Sequence, residues 1–325
     1  MRKALYLFLG LFMAMCIAIP AWAQNSDAMA WMKGDYVGVG GINVEKFSKT
    51  PLFGELMKFF TTNKEVKQAF QIIFDAGLVP EKVVNRVVVG IPNDVEKSEH
   101  IIFWETKENL DKYKELLISH TDVFDIRKHQ GIEYFATKRE NECLAIIDNV
   151  LVLGSELRVK EILEAVSTKY KKGIQRAALQ TEIKRTNKSK DAWFAFALTA
   201  KEQERTGSMD PVVDMTASGL GMLKLGELKS GNLSFDFSKG LKVSAFLKMV
   251  SEASAAQTSN LLMTLLQNGT TDEEVKSLGI ESFLNGITFS SQKQDIRMNI
   301  DYDQAKFNQL IEFVTQFAKS VSTAH

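Results

Sequence analysis

Leu144-Ala145-Ile146-Ile147-Asp148-Asn149-Val150-Leu151-Val152-Leu153-Gly154-Ser155 decides how this chain folds. Two apolar runs flank Asp148-Asn149, whose short polar side chains tolerate positive φ, so the stretch predicts two strands joined by a tight turn. Ser155 then stands at a helix N-cap position, ahead of Val159, Ile162, Leu163 and Val166 at helical spacing. Hairpin followed directly by helix indicates a mixed architecture.

Working back toward the N-terminus, the same alternation continues. Tyr36 to Val44 is β-branched and glycine-bearing and predicts an opening strand. Thr50-Pro51 marks a helix start, and a second helix is expected from Lys64 to Ala76, with Val66, Ala69, Phe70, Ile73 and Phe74 on one face and Gly77 as its stop. Val83 to Ile91 and His100 to Glu105 predict a hairpin. Thr106 is expected to cap a helix through His120 that carries Leu110, Tyr113, Leu116 and Leu117 on one side. Phe124 to Arg127 and Ile132 to Thr137 flank Lys128-His129-Gln130-Gly131, a turn sequence.

Toward the C-terminus the order repeats. Ala192 to Leu198 answers the opening strand, and Asp210-Pro211 answers Thr50-Pro51. Hairpins are expected over Leu228 to Val250 and over Ile287 to Tyr302. Ser251 is expected to cap a helix with Ala255, Ser259, Leu262, Met263 and Leu266 on one side, stopping at Asn268-Gly269. Asp303 opens a last helix whose Phe307, Leu310, Ile311, Val314, Phe317, Ala318 and Val321 form one stripe. The expectation is therefore an α+β chain of two similar halves, each an antiparallel sheet with helices packed on one face. The domains are expected at 24–188 and 189–325, with an internal duplication and a join near Asn187 to Lys190.

Residues 1–23 stand apart as a signal peptide. Arg2 and Lys3 precede apolar Leu5 to Ile19, Pro20 breaks the helix, and Ala21-Trp22-Ala23 supplies a cleavage pattern. The apolar stretch is shorter than the roughly 20 residues of a spanning helix, and Met15 before Cys16 does not suit lipidation. The expected product is soluble, periplasmic or secreted, and without a transmembrane segment. It keeps 38 basic and 40 acidic residues, net −2, and only Cys143, so no intramolecular disulfide is available. Cys143, within an apolar run, is expected to be a core residue.

The opening strand with Asn43-Val44-Glu45-Lys46-Phe47, the element Gly131-Ile132-Glu133-Tyr134-Phe135, and the Leu144 to Ser155 stretch together resemble a family of exported bacterial proteins of unknown function. That family carries G-V-x-x-Y, then A-x-x-D-x-x-L-V-L-G, then a helix, and the likeness covers about residues 34 to 200. The resemblance implies a cell-envelope location. It implies no activity and assigns no residue a role.

The chemistry-bearing patterns are sparse. His100, His120, His129 and His325 lack H-x-x-x-H spacing and there is no C-x-x-C, so no metal or other cofactor is expected. Gly38 to Asn43 lacks the last glycine of a dinucleotide loop. Ser290-Ser291-Gln292-Lys293 formally matches S-x-x-K but falls at an expected hairpin turn. Glu202 with Glu204 is read as a solvated loop, and Thr271 with Glu274 as a capping box.

Two features rise above this background. Between Lys169 and Lys190, Lys169, Lys171, Lys172, Arg176, Lys184, Arg185, Lys188 and Lys190 face Glu182 alone, a local charge of +7. A charged linker is one reading; contact with anionic lipid headgroups, an acidic envelope polymer or an envelope protein is the other. The second feature, Met215, Leu220, Met222, Leu223 and Leu225 among small residues, reads either as core or as an apolar groove. Export disfavours nucleic acid as a partner. The expected function is a non-catalytic binding or structural role in the envelope, with a carrier of lipid or other apolar ligand as one alternative and a hydrolase with an unrecognised site as another.

Overall fold

The computed structural model describes residues 27–54, 80–93, 100–119, 124–138, 142–208, 225–271 and 281–322. The signal peptide, the helix expected from Lys64 to Ala76, and Met215, Leu220, Met222 and Leu223 lie outside them. Contacts cluster into two units, divided between Phe196 and Ala197.

The first unit contains α1 (Asp27–Trp31), β1 (Tyr36–Asn43), α2 (Val44–Phe47), α3 (Pro80–Val83), β2 (Val84–Pro92), β3 (Ile101–Thr106), α4 (Asp111–Ser119), β4 (Phe124–His129), β5 (Ile132–Thr137), β6 (Glu142–Ile147), β7 (Val150–Ser155), α5 (Glu156–Ser167), α6 (Ala177–Arg185) and β8 (Ala192–Ala197). Its strands lie in the order β8-β1-β2-β3-β7-β6-β5-β4, and the neighbouring pairs are antiparallel. The α+β class stands. The deciding hairpin forms as its sequence dictates, with Ile147 opposite Val150 and Asp148 at φ +53°. Its strands are apolar almost throughout because both sheet faces are covered there. On one face Leu144, Ile146, Leu151 and Phe135 pack with Leu110, just before α4, and with Tyr113 and Leu117 of α4. On the opposite face lies α5, whose first residue Glu156 reaches Tyr134, the neighbour of Phe135 on β5.

Three local expectations change in this unit. Thr106 ends β3, its hydroxyl donating to the Asn149 carbonyl, and α4 starts later, where Asn109 Oδ1 accepts from the Asp111 N–H. Ser155 has the extended backbone of an N-cap, but its side chain makes no capping bond. The strand expected to open the second domain, β8, lies beside β1, Trp193 opposite Gly41 and Ala195 opposite Val39. The segment 187–190, expected as the join, is a turn between α6 and β8, folded by Asn187 Oδ1 accepting from the Ser189 N–H and hydroxyl.

The second unit holds α7 (Ala200–Ser208), a 3-10 turn at Leu225–Glu227, β9 (Leu228–Asp236), β10 (Gly240–Met249), α8 (Glu252–Thr271), α9 (Glu281–Leu284), β11 (Ile287–Gln292), β12 (Asp295–Asp303) and α10 (Gln304–Ser322). Its strands run β9-β10-β12-β11, and burial alternates along β12 and the first half of β10. Leu241, Val243 and Ala245 are buried while Lys242 and Ser244 are exposed, and on β12 Ile296, Ile300 and Tyr302 alternate with Arg297, Asn299 and Asp301. That period of two buries one face, on which Phe307 of α10 stacks over Phe237 with ring centroids 5.8 Å apart. Ser251 and Asp303 cap α8 and α10 as read from the sequence.

Two expectations fail in this unit. Glu202 is not in a loop: it forms a capping box with Thr199 at the start of α7, each side chain bonding the other's backbone N–H. α8 does not stop at Gly269 but runs to Thr271, and Leu284 packs close to Gly269, its Cδ1 only 2.6 Å from where a Cβ would stand.

Both units share a plan. A hairpin (β2-β3 or β9-β10) leads through a helix to a later hairpin whose second strand lies beside the first hairpin's second strand, giving β2-β3-β7-β6 and β9-β10-β12-β11. The first unit adds β4 and β5 at its edge.

Candidate functional site

The basic segment is built outward from the end of α5. Glu164, Ala165 and Val166 carbonyls accept from the Thr168, Tyr170 and Lys169 N–H groups, and Lys169 adopts φ +53°, which ends the helix. Tyr170 then closes a short loop by donating its hydroxyl to the Gly173 carbonyl at 3.0 Å, while Gln175 donates to the same hydroxyl. Gly173, at φ +68°, donates its N–H to Ala30 of α1; a Cβ there would sit 3.2 Å from the Met29 carbonyl oxygen. The loop is thus tied to α1 at its middle.

Arg176 ties down its end. The guanidinium, 9% exposed, makes a bidentate pair with Asp35 at 2.6 and 2.7 Å, and Asn93 donates to the same carboxylate. Asp35 is held below the ordinary carboxylate range, chiefly by the Arg176 hydrogen bond. Arg176 was grouped with the contact residues by sequence; the fold makes it a brace between β1 and α6. In α6, Leu179, Glu182 and Ile183 face inward, and Arg185 reaches the nearly buried Glu182 at 3.4 Å. Lys188 is partly withdrawn, and burial lowers its proton affinity. Lys190 is half-buried and Lys184 exposed. Lys169, Lys171 and Lys172, all exposed, share the one anchored loop. Leu225 opens the 3-10 turn before β9, the only described residue of the expected apolar groove.

A second ionic cluster escaped the sequence reading. Glu156, the first residue of α5, accepts from Arg127 at 3.0 Å on each oxygen, from the Tyr134 hydroxyl at 2.7 Å and from Lys160 at 2.8 Å. Its carboxyl is pulled down to about 2, first by Lys160 and then by Tyr134. Only the Glu156–Lys160 spacing of four was visible in the sequence. Such a carboxylate holds no proton near neutral pH and its oxygens are occupied by donors, which suits a brace and not an acid or base. Cys143 is 3% exposed and burial pushes its thiol up to about 11, so little thiolate forms at neutral pH. Among the described residues, no group of three or more His, Cys, Asp or Glu stands ready for a metal, and no helix is long and apolar enough to cross a membrane.

No family model and no curated protein sequence matches the chain. Among solved structures, crystal form I of TP0453 is similar, with 11% identity and a TM-score of 0.51 over 90% of this chain and 99% of that one. Crystal form IV of TP0453 is similar at 10% identity and a TM-score of 0.47, over 87% and 95% respectively. The first shows a shared fold.

Proposed function

We propose that this chain is an exported protein of the cell envelope that acts by binding, with Lys169, Lys171 and Lys172 as its contact with an anionic surface. One observation carries the reading. A loop held by Tyr170, Gly173 and Arg176 presents three exposed lysines within four positions. A rigid cluster of like charge loses little conformational freedom on contact, and each lysine near an anionic membrane contributes about 1 kcal/mol, screened by salt. The leading 23 residues and the likeness to exported bacterial proteins support the location.

Vesicle sedimentation tests the contact. The protein is expected to pellet with phosphatidylglycerol-containing vesicles at low salt and not with phosphatidylcholine vesicles, and the triple change Lys169→Glu, Lys171→Glu, Lys172→Glu is expected to leave it in the supernatant. Equal pelleting of parent and variant removes the lysine contact. A stoichiometric lipid extracted from the purified protein favours the carrier of apolar ligands instead.

A further inference from the structure

We propose that β4 is a self-association edge, by which two copies of this chain pair antiparallel about a two-fold axis at Ile126. Among the described residues β4 is the terminal strand of its sheet, bonded to β5 through the register Phe124–Thr137 to His129–Ile132. The other side of a terminal strand presents main-chain donors and acceptors to a further strand. Ile126, in the middle of β4, is 42% exposed, among the few large apolar side chains that are.

Symmetry makes the register testable by inspection. A strand paired with its own two-fold copy has one residue facing itself, with the flanking residues facing each other in mirrored order. With the axis at Ile126, Asp125 faces the partner's Arg127, Arg127 faces the partner's Asp125, and the two isoleucines meet at the centre. Moving the axis one residue either way sets Asp125 against Asp125 or Arg127 against Arg127. Of these three registers the Ile126 axis alone sets Asp125 against Arg127 and no residue of like charge against itself, and opposite-charge pairs across strands are favourable while like pairs are not. Asp125 and Arg127 already share a sheet face at 3.5 Å, and both stay nearly half exposed although Arg127 also donates to Glu156. Charges on a lone edge ordinarily repel a second strand. Here their order, acidic then apolar then basic, makes the edge complementary to itself. A six-residue edge is smaller than the standard interface of about 1,600 Å², so the pair forms in a concentration-dependent way.

Single cysteines read the register directly. Residues opposite each other in an antiparallel pair have Cα atoms about 4.5–5.5 Å apart, within disulfide reach. The full chain carrying Ile126→Cys is expected to give a covalent dimer under mild oxidation, while Asp125→Cys and Arg127→Cys, each facing a residue without a thiol, stay monomeric. The parent chain sets the background, its Cys143 being buried. Sedimentation velocity of the parent is expected to show dimer rising with concentration, and Asp125→Lys to weaken it about tenfold or more. The proposal is overturned by a parent that stays monomeric at every concentration, by equal cross-linking at all three positions, or by dimerisation that Asp125→Lys leaves unchanged.

Discussion

Glu156 shows how much a single side chain can be decided by its neighbours. Its carboxyl lies at about 2 instead of the ordinary 4.5, because Lys160, Tyr134 and Arg127 all donate to the charged form. A depressed folded-state value means the stabilisation is present in full above the unfolded value and fades as pH falls from 4.5 toward 2. Glu156→Gln is therefore expected to cost about 1 kcal/mol at neutral pH, as measured by urea unfolding. Parent and variant curves should converge below pH 2 or so, where the parent carboxyl is also neutral. A difference that persists unchanged in acid would mean that the charge is not what the site uses. The same scale explains why Arg176 misled the sequence reading. Its partner Asp35 lies 141 positions away, and composition within a window carries no information about such a partner.

At the scale of elements, several features that act within a few residues were readable. The Asp148-Asn149 turn, the Ser251 and Asp303 caps, and the alternation along β10 and β12 all follow from neighbours in sequence. The Thr199–Glu202 capping box was equally local and equally present in the letters, but α7 is polar enough to lack an apolar stripe. Gly240 opens β10 at φ +125°, and an added Cβ would stand 2.0 Å from the Tyr302 carbonyl oxygen on the neighbouring strand. Gly240→Ala combines an unfavourable backbone with a backbone clash, so it is expected to destabilise the protein by about 2–3 kcal/mol, read as a lower urea midpoint with unchanged slope. An unchanged midpoint would show that the β10–β12 pairing can shift to make room. Gly269 carries the opposite lesson. Its local reading was a helix stop, whereas it lies inside a continuing helix with the end of the Leu284 side chain of α9 packed against it.

For the whole molecule, the strand orders β2-β3-β7-β6 and β9-β10-β12-β11 follow one plan, a hairpin and a later hairpin set side by side. Eleven per cent identity with crystal form I of TP0453 over nearly the whole of both chains illustrates how a layer architecture tolerates almost complete change of sequence. Export belongs to this scale as well. N-terminal sequencing of the protein from an envelope fraction is expected to begin at Gln24, with the first 23 residues removed. Recovery in the cytosol with Met1 or Arg2 at its start would remove both the export and the envelope role built on it.

The amino-acid order alone determined much of the punctuation of this chain: where strands turn, the caps at Ser251 and Asp303, which runs are apolar, and where basic residues gather. These depend on torsional preferences and hydrogen bonds within about four residues of one another. Only the tertiary structure decided that β8 lies against β1, that Arg176 is a brace while Lys169, Lys171 and Lys172 are displayed, and that Glu156 is enclosed by donors from β4 and β5. Those outcomes depend on which distant segments the buried faces bring together, and contacts between residues far apart in the chain leave no periodic trace in the letters.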